Sequence, residues 1–166
     1  MSLKQIWFLL KLNYIKFFFF ILPLVSFFFS LYQLNYQYDG HHHGVVFSIS
    51  EDFMSGKIPY KDFFPHYGIS FIIINSFFIK IFSSSIYGTY FFISLCKGIS
   101  FLVFGMIIKK FFDFKIAISA MLMMFFLHPF VDTPWPEYLF FLFILISFYI
   151  LLVSKNNFLF FLSGFF

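Results

Sequence analysis

The chain has 166 residues, of which 61% are hydrophobic and only 11% are charged, and its formal net charge is +4. A soluble domain carries about a quarter charged residues, so this composition argues against a water-soluble globule and favours a protein solvated by a lipid bilayer. The positive charge comes from lysines spread along helix ends, which argues against nucleic-acid binding, and the single cysteine excludes an internal disulfide and a thiolate metal cluster.

The first predicted element is a membrane span at residues 17–34. Lys4, Lys11 and Lys16 precede it, and at 1.5 Å per residue it would rise about 27 Å, enough to cross a hydrocarbon core. No small-residue cleavage site follows, which favours an uncleaved signal-anchor helix. Because lysine-rich flanks stay in the cytoplasm, this span predicts that Asn35 and the residues after it lie outside.

Residues 38–68 are the only long stretch that is not continuously apolar, and they hold four of the seven carboxylates and four of the five histidines. Within this stretch, residues 43–55 place apolar and polar side chains on opposite arcs of a helix. Such a helix is too short and too polar to span a bilayer, so we expect it to lie in the membrane interface. Gly56 and Pro59 predict its end, and residues 57–68 are predicted to form a loop.

The next apolar segment, residues 67–82, decides the topology of everything after it. It is short and is interrupted by Asn75, Ser76 and Lys80. If it crossed the bilayer, the lysines after the following span would lie outside. If it folds back as a re-entrant or interfacial segment, they lie in the cytoplasm, which the positive-inside rule favours. Residues 35–85 are therefore predicted to form one extracytoplasmic loop.

The remaining residues predict further apolar helices. Spans are predicted at residues 86–108, 111–127 and 138–153, and a proline-rich outer loop is predicted at residues 128–137. The last segment, residues 158–166, is too short to cross, which predicts a fragment of a longer membrane protein or the product of a truncated gene. The predicted fold class is all-α: one polytopic transmembrane helix bundle in the cytoplasmic (inner) membrane, with interfacial helices in the first extracytoplasmic loop.

The sorting of charge along this topology indicates where chemistry would take place. Seven of the 11 lysines fall on the cytoplasmic side, whereas all five histidines and every carboxylate except that of Asp113 fall on the outer side. The positive-inside rule concerns cations and does not account for a gathering of acids and imidazoles. The pattern therefore predicts a polar active site or binding cleft on the outer face.

Asp39 follows the first span and is the candidate general base. A carboxylate held partly desolvated at a membrane surface can take up a proton near neutral pH, although spacing alone favours an ordinary helix-capping Asp. His41 and His42, with His43, are candidates to bind a phosphate or sugar, and a solvated interfacial face is their simplest interpretation. A divalent metal is disfavoured because consecutive helical side chains point about 100° apart.

Further candidates for substrate binding lie in one span and in the two outer loops. Lys97 lies near the centre of its span, where a cation is costly and marks either a functional site or a pair with a carboxylate or phosphate. The loop candidates are polar or aromatic side chains: Tyr60, Asp62, His66, Asp132 and Glu137. Glu51 and Asp52 are assigned to a solvated face and Trp135 to an interface anchor.

The first loop resembles that of polytopic glycosyltransferases of the C superfamily, in particular bacterial members akin to protein mannosyltransferases and lipid A aminoarabinose transferases. The similarity lies in the acid at the outer end of the first span, the short acidic helix, and a segment of the form G-x-x-P-Y-x-D-F-F-x-x-Y-G. The matching residues are Gly56, Pro59, Tyr60, Asp62, Phe63, Phe64, Tyr67 and Gly68. Lys97 matches a basic residue that recurs early in the following span, and the resemblance covers residues 17–110.

The resemblance implies that Asp39 is the catalytic base of a sugar transfer. An activated acceptor hydroxyl would attack the anomeric carbon of a sugar carried on a polyprenyl phosphate, while cationic and imidazole groups stabilise the leaving phosphate. No cofactor is implied, and the expected partners are the lipid-linked sugar donor and membrane lipids. The histidine triplet and the short length of the chain depart from the family pattern.

Two alternatives stay open on the sequence alone. One is a non-catalytic membrane subunit in surface-polysaccharide export or assembly, and the other is a truncated, inactive remnant. The sequence specifies neither the sugar and its acceptor nor the oligomeric state.

Overall fold

The computed structural model describes residues 3–36, 40–127 and 135–154, with the side chains of the first helix described from Tyr14 onward. These residues form six α-helices and no β-strand, which confirms the predicted all-α class. The helices are α1 Leu3–Tyr36, α2 Gly40–Met54, α3 Ile69–Ile81, α4 Tyr87–Phe111, α5 Phe114–Leu127 and α6 Glu137–Val153. By length and composition, two helical segments could cross a membrane, Tyr14–Tyr36 and Tyr87–Phe111.

The central helix is α4, which packs against α1, α3, α5 and α6. It runs antiparallel to α1, because Ser94 lies beside Ser30 whereas Gly98, further along α4, lies against Phe27, earlier in α1. The C-terminal end of α1 and the N-terminal end of α4 therefore meet at one end of the bundle. We call this the α2 end, because α2 and α3 pack there.

Three apolar clusters of described residues hold the helices together. The largest one lies at the α2 end and joins α1, α2, α3, α4 and α6; its buried members are Leu34, Val46, Phe71, Tyr90, Phe92, Ile93, Cys96, Leu139 and Leu142. A second lies toward the opposite end and includes Phe19, Ala117 and Met121, and a third joins Val103 and Ile107 of α4 to Leu145 of α6. Outside these clusters many Phe rings face outward, and Phe17 and Phe28 are each more than half exposed. An outer surface this rich in apolar rings favours a lipid environment.

Local signals explain where several helices begin and end. Gly56 adopts φ +87° just after α2, a left-handed conformation that glycine takes without steric cost, so the predicted stop is confirmed. Asp113 precedes α5 and accepts hydrogen bonds from the backbone N–H groups of Lys115 (2.9 Å) and Ile116 (3.0 Å), as a helix N-cap does. This cap places the start of α5 at Phe114, three residues later than the predicted span.

Two further helices are longer at their N-terminal ends than the segments predicted from the sequence. The first helix begins at Leu3 and continues through the span predicted at residues 17–34, because lysine is a good helix former and residues 3–16 contain no helix breaker. Helix α2, predicted over residues 43–55, begins at Gly40, so all three histidines are helical. The 13 residues of α3 rise about 20 Å, less than the thickness of a hydrocarbon core.

We expect Gly88→Ala to destabilise the fold by about 1–3 kcal/mol, since a Cβ at Gly88 would lie 2.6 Å from backbone atoms of Ile79 and force α3 away from α4. The matched control is Gly44→Ala, because a Cβ at Gly44 meets no atom within 4 Å and alanine favours a helix by about 1 kcal/mol. Thermal unfolding of both variants in detergent, followed by circular dichroism, would measure the difference. Equal midpoints would contradict the close α3–α4 contact.

Candidate functional site

Hydrogen bonds of buried side chains fix α2 against α3. The amide of Asn75 donates to the hydroxyl of Ser50 at 2.9 Å, and the hydroxyl of Ser76 donates to the Ser50 carbonyl at 3.2 Å. The Ser50 hydroxyl in turn donates to the carbonyl of Val46. All three polar residues are buried. The sequence interpretation treated Asn75 and Ser76 as interruptions of an apolar segment, and the structure gives both of them this role in helix pairing.

His43 joins α2 to α4. Its side chain is completely buried, and its Nδ1 lies 3.3 Å from the hydroxyl of Tyr90, with the two rings 5.2 Å apart. Which of the two atoms donates depends on the imidazole tautomer. Interpreting the histidine triplet as a solvated face is therefore wrong for His43, because the phase of α2 turns this residue toward α4. His41 is exposed and His42 is half-buried.

His42 points toward the start of α6. Its ring lies 4.9 Å from the ring of Trp135, tilted by 38°. Two residues further on, Glu137 begins α6 with an exposed side chain, and Tyr138 follows it in the first helical turn. The structure thus brings together two of the predicted site segments, the histidines of α2 and the residues around Glu137.

Lys97 is buried in the interior of α4, with only 5% of its surface exposed. Its Nζ lies over the ring of Tyr138, 5.7 Å from the ring centroid, so the ammonium is directed to the first turn of α6. An aromatic face stabilises a cation that has left water. The lysine that the sequence places in the middle of an apolar run is thus buried among the helices of the bundle.

Several further polar side chains are buried in α1 and α4. They are Ser26, Ser30 and Gln33 of α1 and Ser94 and Ser100 of α4. Ser94 Oγ and Ser30 Oγ lie 3.4 Å apart. The hydroxyls of Ser26 and Ser100 are buried and make no hydrogen bond to another residue of the described ranges. A buried cation such as the Lys97 ammonium can bind the oxygens of an anion such as a phosphate.

A second feature at the α2 end is a groove between α2 and the loop that follows it, with a volume of about 500 Å³. We call it the His41 groove. Its chemistry is mixed, since it contains two imidazoles, one hydroxyl and two aromatic rings besides small and aliphatic residues. The lining residues are Gly40, His41, Gly44, Val45, Ser48, Ile49, Phe63, Phe64 and His66. Three residues of the loop predicted at residues 57–68 thus form one wall of this groove.

The loop beside this groove is held in shape by its own backbone. Asp62 Oδ2 accepts a hydrogen bond from the backbone N–H of Ile58 at 2.8 Å, and Tyr60 N–H donates to the Phe63 carbonyl. Tyr60 adopts φ +65° and is 65% exposed. In the structure Asp62 stabilises the loop, and neither Asp62 nor Tyr60 lines the His41 groove, so their assignment to substrate binding stays a prediction.

The two acids of α2 lie outside these features. Glu51 is exposed, and the carboxylate of Asp52 forms an ion pair with the ammonium of Lys57 at 2.6 Å. Exposed pairs of this kind contribute at most about 1 kcal/mol to stability. The interpretation of both acids as part of a solvated face is confirmed.

Two predicted site residues, Asp39 and Asp132, lie outside the described residues, as does His128. Gly40, the neighbour of Asp39 in sequence, lines the His41 groove. Within the described ranges, no three His, Cys, Asp or Glu side chains are placed to hold a metal ion. The likeness of the first loop to C-superfamily glycosyltransferases stays a prediction. No protein-family model, curated protein or solved structure matches this chain.

Proposed function

We propose that the chain is part of a membrane glycosyltransferase. In this proposal it transfers a sugar from a polyprenyl-phosphate donor to an acceptor hydroxyl, at the outer face of the cytoplasmic membrane. The protein is multi-pass, and the α2 end of the bundle is the extracytoplasmic end. The two long apolar helices support membrane association, and the distribution of lysines supports this orientation.

The observation that carries the proposal is the buried ammonium of Lys97. Lys97 is 5% exposed, and a cation held inside an apolar helix bundle is a candidate to bind an anion. The phosphate of a lipid-linked sugar is an anion that approaches from the bilayer, and its negative charge grows as the sugar leaves. Stabilising that developing charge would favour the transition state over the ground state.

The His41 groove supplies a place for the acceptor on the same end of the bundle. Aromatic rings such as those of Phe63 and Phe64 can stack on the apolar face of a sugar, while the imidazoles of His41 and His66 hydrogen-bond its hydroxyls. The volume of about 500 Å³ is within the range of small-molecule sites. The groove is open, as a site for a large or polymeric acceptor would be.

Asp39 is assigned the role of general base because it directly precedes Gly40 of the groove. Its carboxylate accepts the proton of the acceptor hydroxyl as the hydroxyl oxygen bonds to the anomeric carbon. The bond from that carbon to the phosphate oxygen breaks, and polyprenyl phosphate leaves with the electron pair. Lys97 stabilises the leaving phosphate.

A transfer assay on right-side-out membrane vesicles tests this function. Vesicles containing the full-length protein would be loaded with defined polyprenyl-phosphate sugars and offered a membrane-impermeant acceptor. We expect transfer of the sugar to the acceptor with release of polyprenyl phosphate. No transfer with any donor, in vesicles that hold the folded protein, would contradict the enzyme and favour a non-catalytic subunit.

A further inference from the structure

A second groove lies on the opposite side of α2 from the His41 groove, between the end of α2 and the outer face of α3. Its volume is about 500 Å³. We call it the Lys80 groove; its lining residues are Phe53, Met54, Ile73, Ser76, Phe77, Lys80 and Ser84. Ser76 also bonds α2 to α3, and none of the lining residues belongs to the His41 groove.

The Lys80 groove has apolar side chains along one part of its length and polar side chains at one end. Ile73, Phe77 and Lys80 follow each other at helical spacing on α3, so they form one outward stripe. Ile73 and Phe77 are 48% and 61% exposed, and Phe53 and Met54 of α2 face them across the groove. The stripe ends at the ammonium of Lys80. An amphiphile with a long apolar chain and an anionic head fits this order of groups.

The polar end of the groove contains one charge and two hydroxyls. Lys80 is exposed and makes no ion pair with any residue in the described part of the chain. The turn after α3 holds Ser84 beside it, through hydrogen bonds from Ser83 N–H to the Lys80 carbonyl and from Ser84 N–H to the Ile79 carbonyl.

That turn is strained, since Ser83 and Ser84 adopt φ +56° and +59°, in the left-handed region that costs a non-glycine residue about 1–2 kcal/mol each. Strain of this kind persists where the surrounding structure requires the conformation. Here it places the Ser84 side chain at the groove.

We propose that the Lys80 groove binds the phosphate of a membrane lipid, with the lipid chain along Ile73 and Phe77 and the phosphate oxygens on Lys80 Nζ and the Ser84 hydroxyl. The positive charge of Lys80 decides the class of ligand, because Lys80 is the one charged side chain among the described residues that line the groove. The apolar wall selects a lipid phosphate over a free one. Lipid binding at this groove requires a membrane lipid but no sugar transfer, so it can be tested independently of the proposed glycosyltransferase activity.

Native mass spectrometry of the full chain, released from neutral detergent micelles with added phosphatidylglycerol, tests the site. We expect one tightly retained lipid per chain and about a fivefold weaker apparent affinity for Lys80→Gln, as expected for the loss of one lysine–phosphate contact. Lys80→Arg should restore the affinity, which separates charge from any effect on α3 folding. Lys61→Gln, which removes an exposed lysine of the neighbouring loop, is the matched control and should bind like the wild type.

Four results would overturn the proposal. Unchanged retention in Lys80→Gln would remove Lys80 from the site, and an equal loss in Lys61→Gln would reduce the effect to general surface charge. Equal retention of uncharged diacylglycerol would show that no phosphate is recognised. Displacement of the lipid by excess inorganic phosphate would assign the site to free phosphate instead. Circular dichroism of each variant would establish that it is folded.

Discussion

Replacing Asp39 with Asn is expected to lower sugar transfer by the full-length protein about 10²- to 10⁴-fold, the contribution typical of a general base. The amide keeps the size and shape of the carboxylate but cannot take the proton from the acceptor hydroxyl. Transfer should be measured in membranes at matched protein levels, with donor and acceptor both saturating. Protein level and helical content should not change, because the substitution removes no apolar surface.

The matched control is Glu51→Gln, which neutralises another acid of the first loop that lies on a solvated face. Its activity should stay within about twofold of the wild type, since exposed substitutions have small effects. Wild-type transfer by Asp39→Asn would remove Asp39 as base. An equal loss in both variants would instead indicate that the charge of the loop, and not one proton acceptor, supports the reaction.

Replacing Lys97 with Met is expected to lower the kcat/KM for the polyprenyl-phosphate sugar about a hundredfold or more, in line with the loss of one charge-stabilising donor in a preorganised site. The unbranched methionine side chain fills most of the same space, and apolar replacements of buried ions are often neutral or stabilising. The thermal unfolding midpoint should therefore stay the same or rise. The measurements are kinetics against donor concentration and unfolding in the same detergent.

The chain offers a control on the same helix, Lys109→Met. Lys109 Nζ also lies over an aromatic ring, that of Phe114, 4.8 Å from the centroid, but at the opposite end of α4. Its loss should leave the kinetic constants near the wild-type values. A Lys97→Met variant that loses stability but keeps its transfer rate would make Lys97 a structural cation and contradict the proposed phosphate contact.

Patterns along the chain predicted those features that depend on neighbouring residues. Long apolar runs indicated the helices, and Gly56 with Pro59 indicated the end of α2 and the loop after it. The start of α5 was misplaced because residues 111 and 112 continue the apolar run, and the capping role of Asp113 depends on hydrogen-bond geometry that composition does not reveal.

Features that depend on pairing between distant residues were not predictable. The burial of His43 follows from its contact with Tyr90, 47 residues later, and a histidine triplet carries no sign of which member faces inward. The same holds for Ser50 and Asn75, which are 25 residues apart. For Lys97 the sequence was more informative, because a lysine in the middle of an apolar run is itself unusual.

The bonds between α2 and α3 bear on how the α2 end would behave in different solvents. In a bilayer, packing apolar side chains of two helices together is driven little by the hydrophobic effect, because lipid chains contact those side chains as favourably as a neighbouring helix does. The hydrogen bonds from Asn75 and Ser76 to Ser50 do not require a hydrophobic driving force. These two bonds restrict sliding and rotation of α2 against α3. The spacing of the two helices should therefore be the same in micelles, nanodiscs and native bilayers.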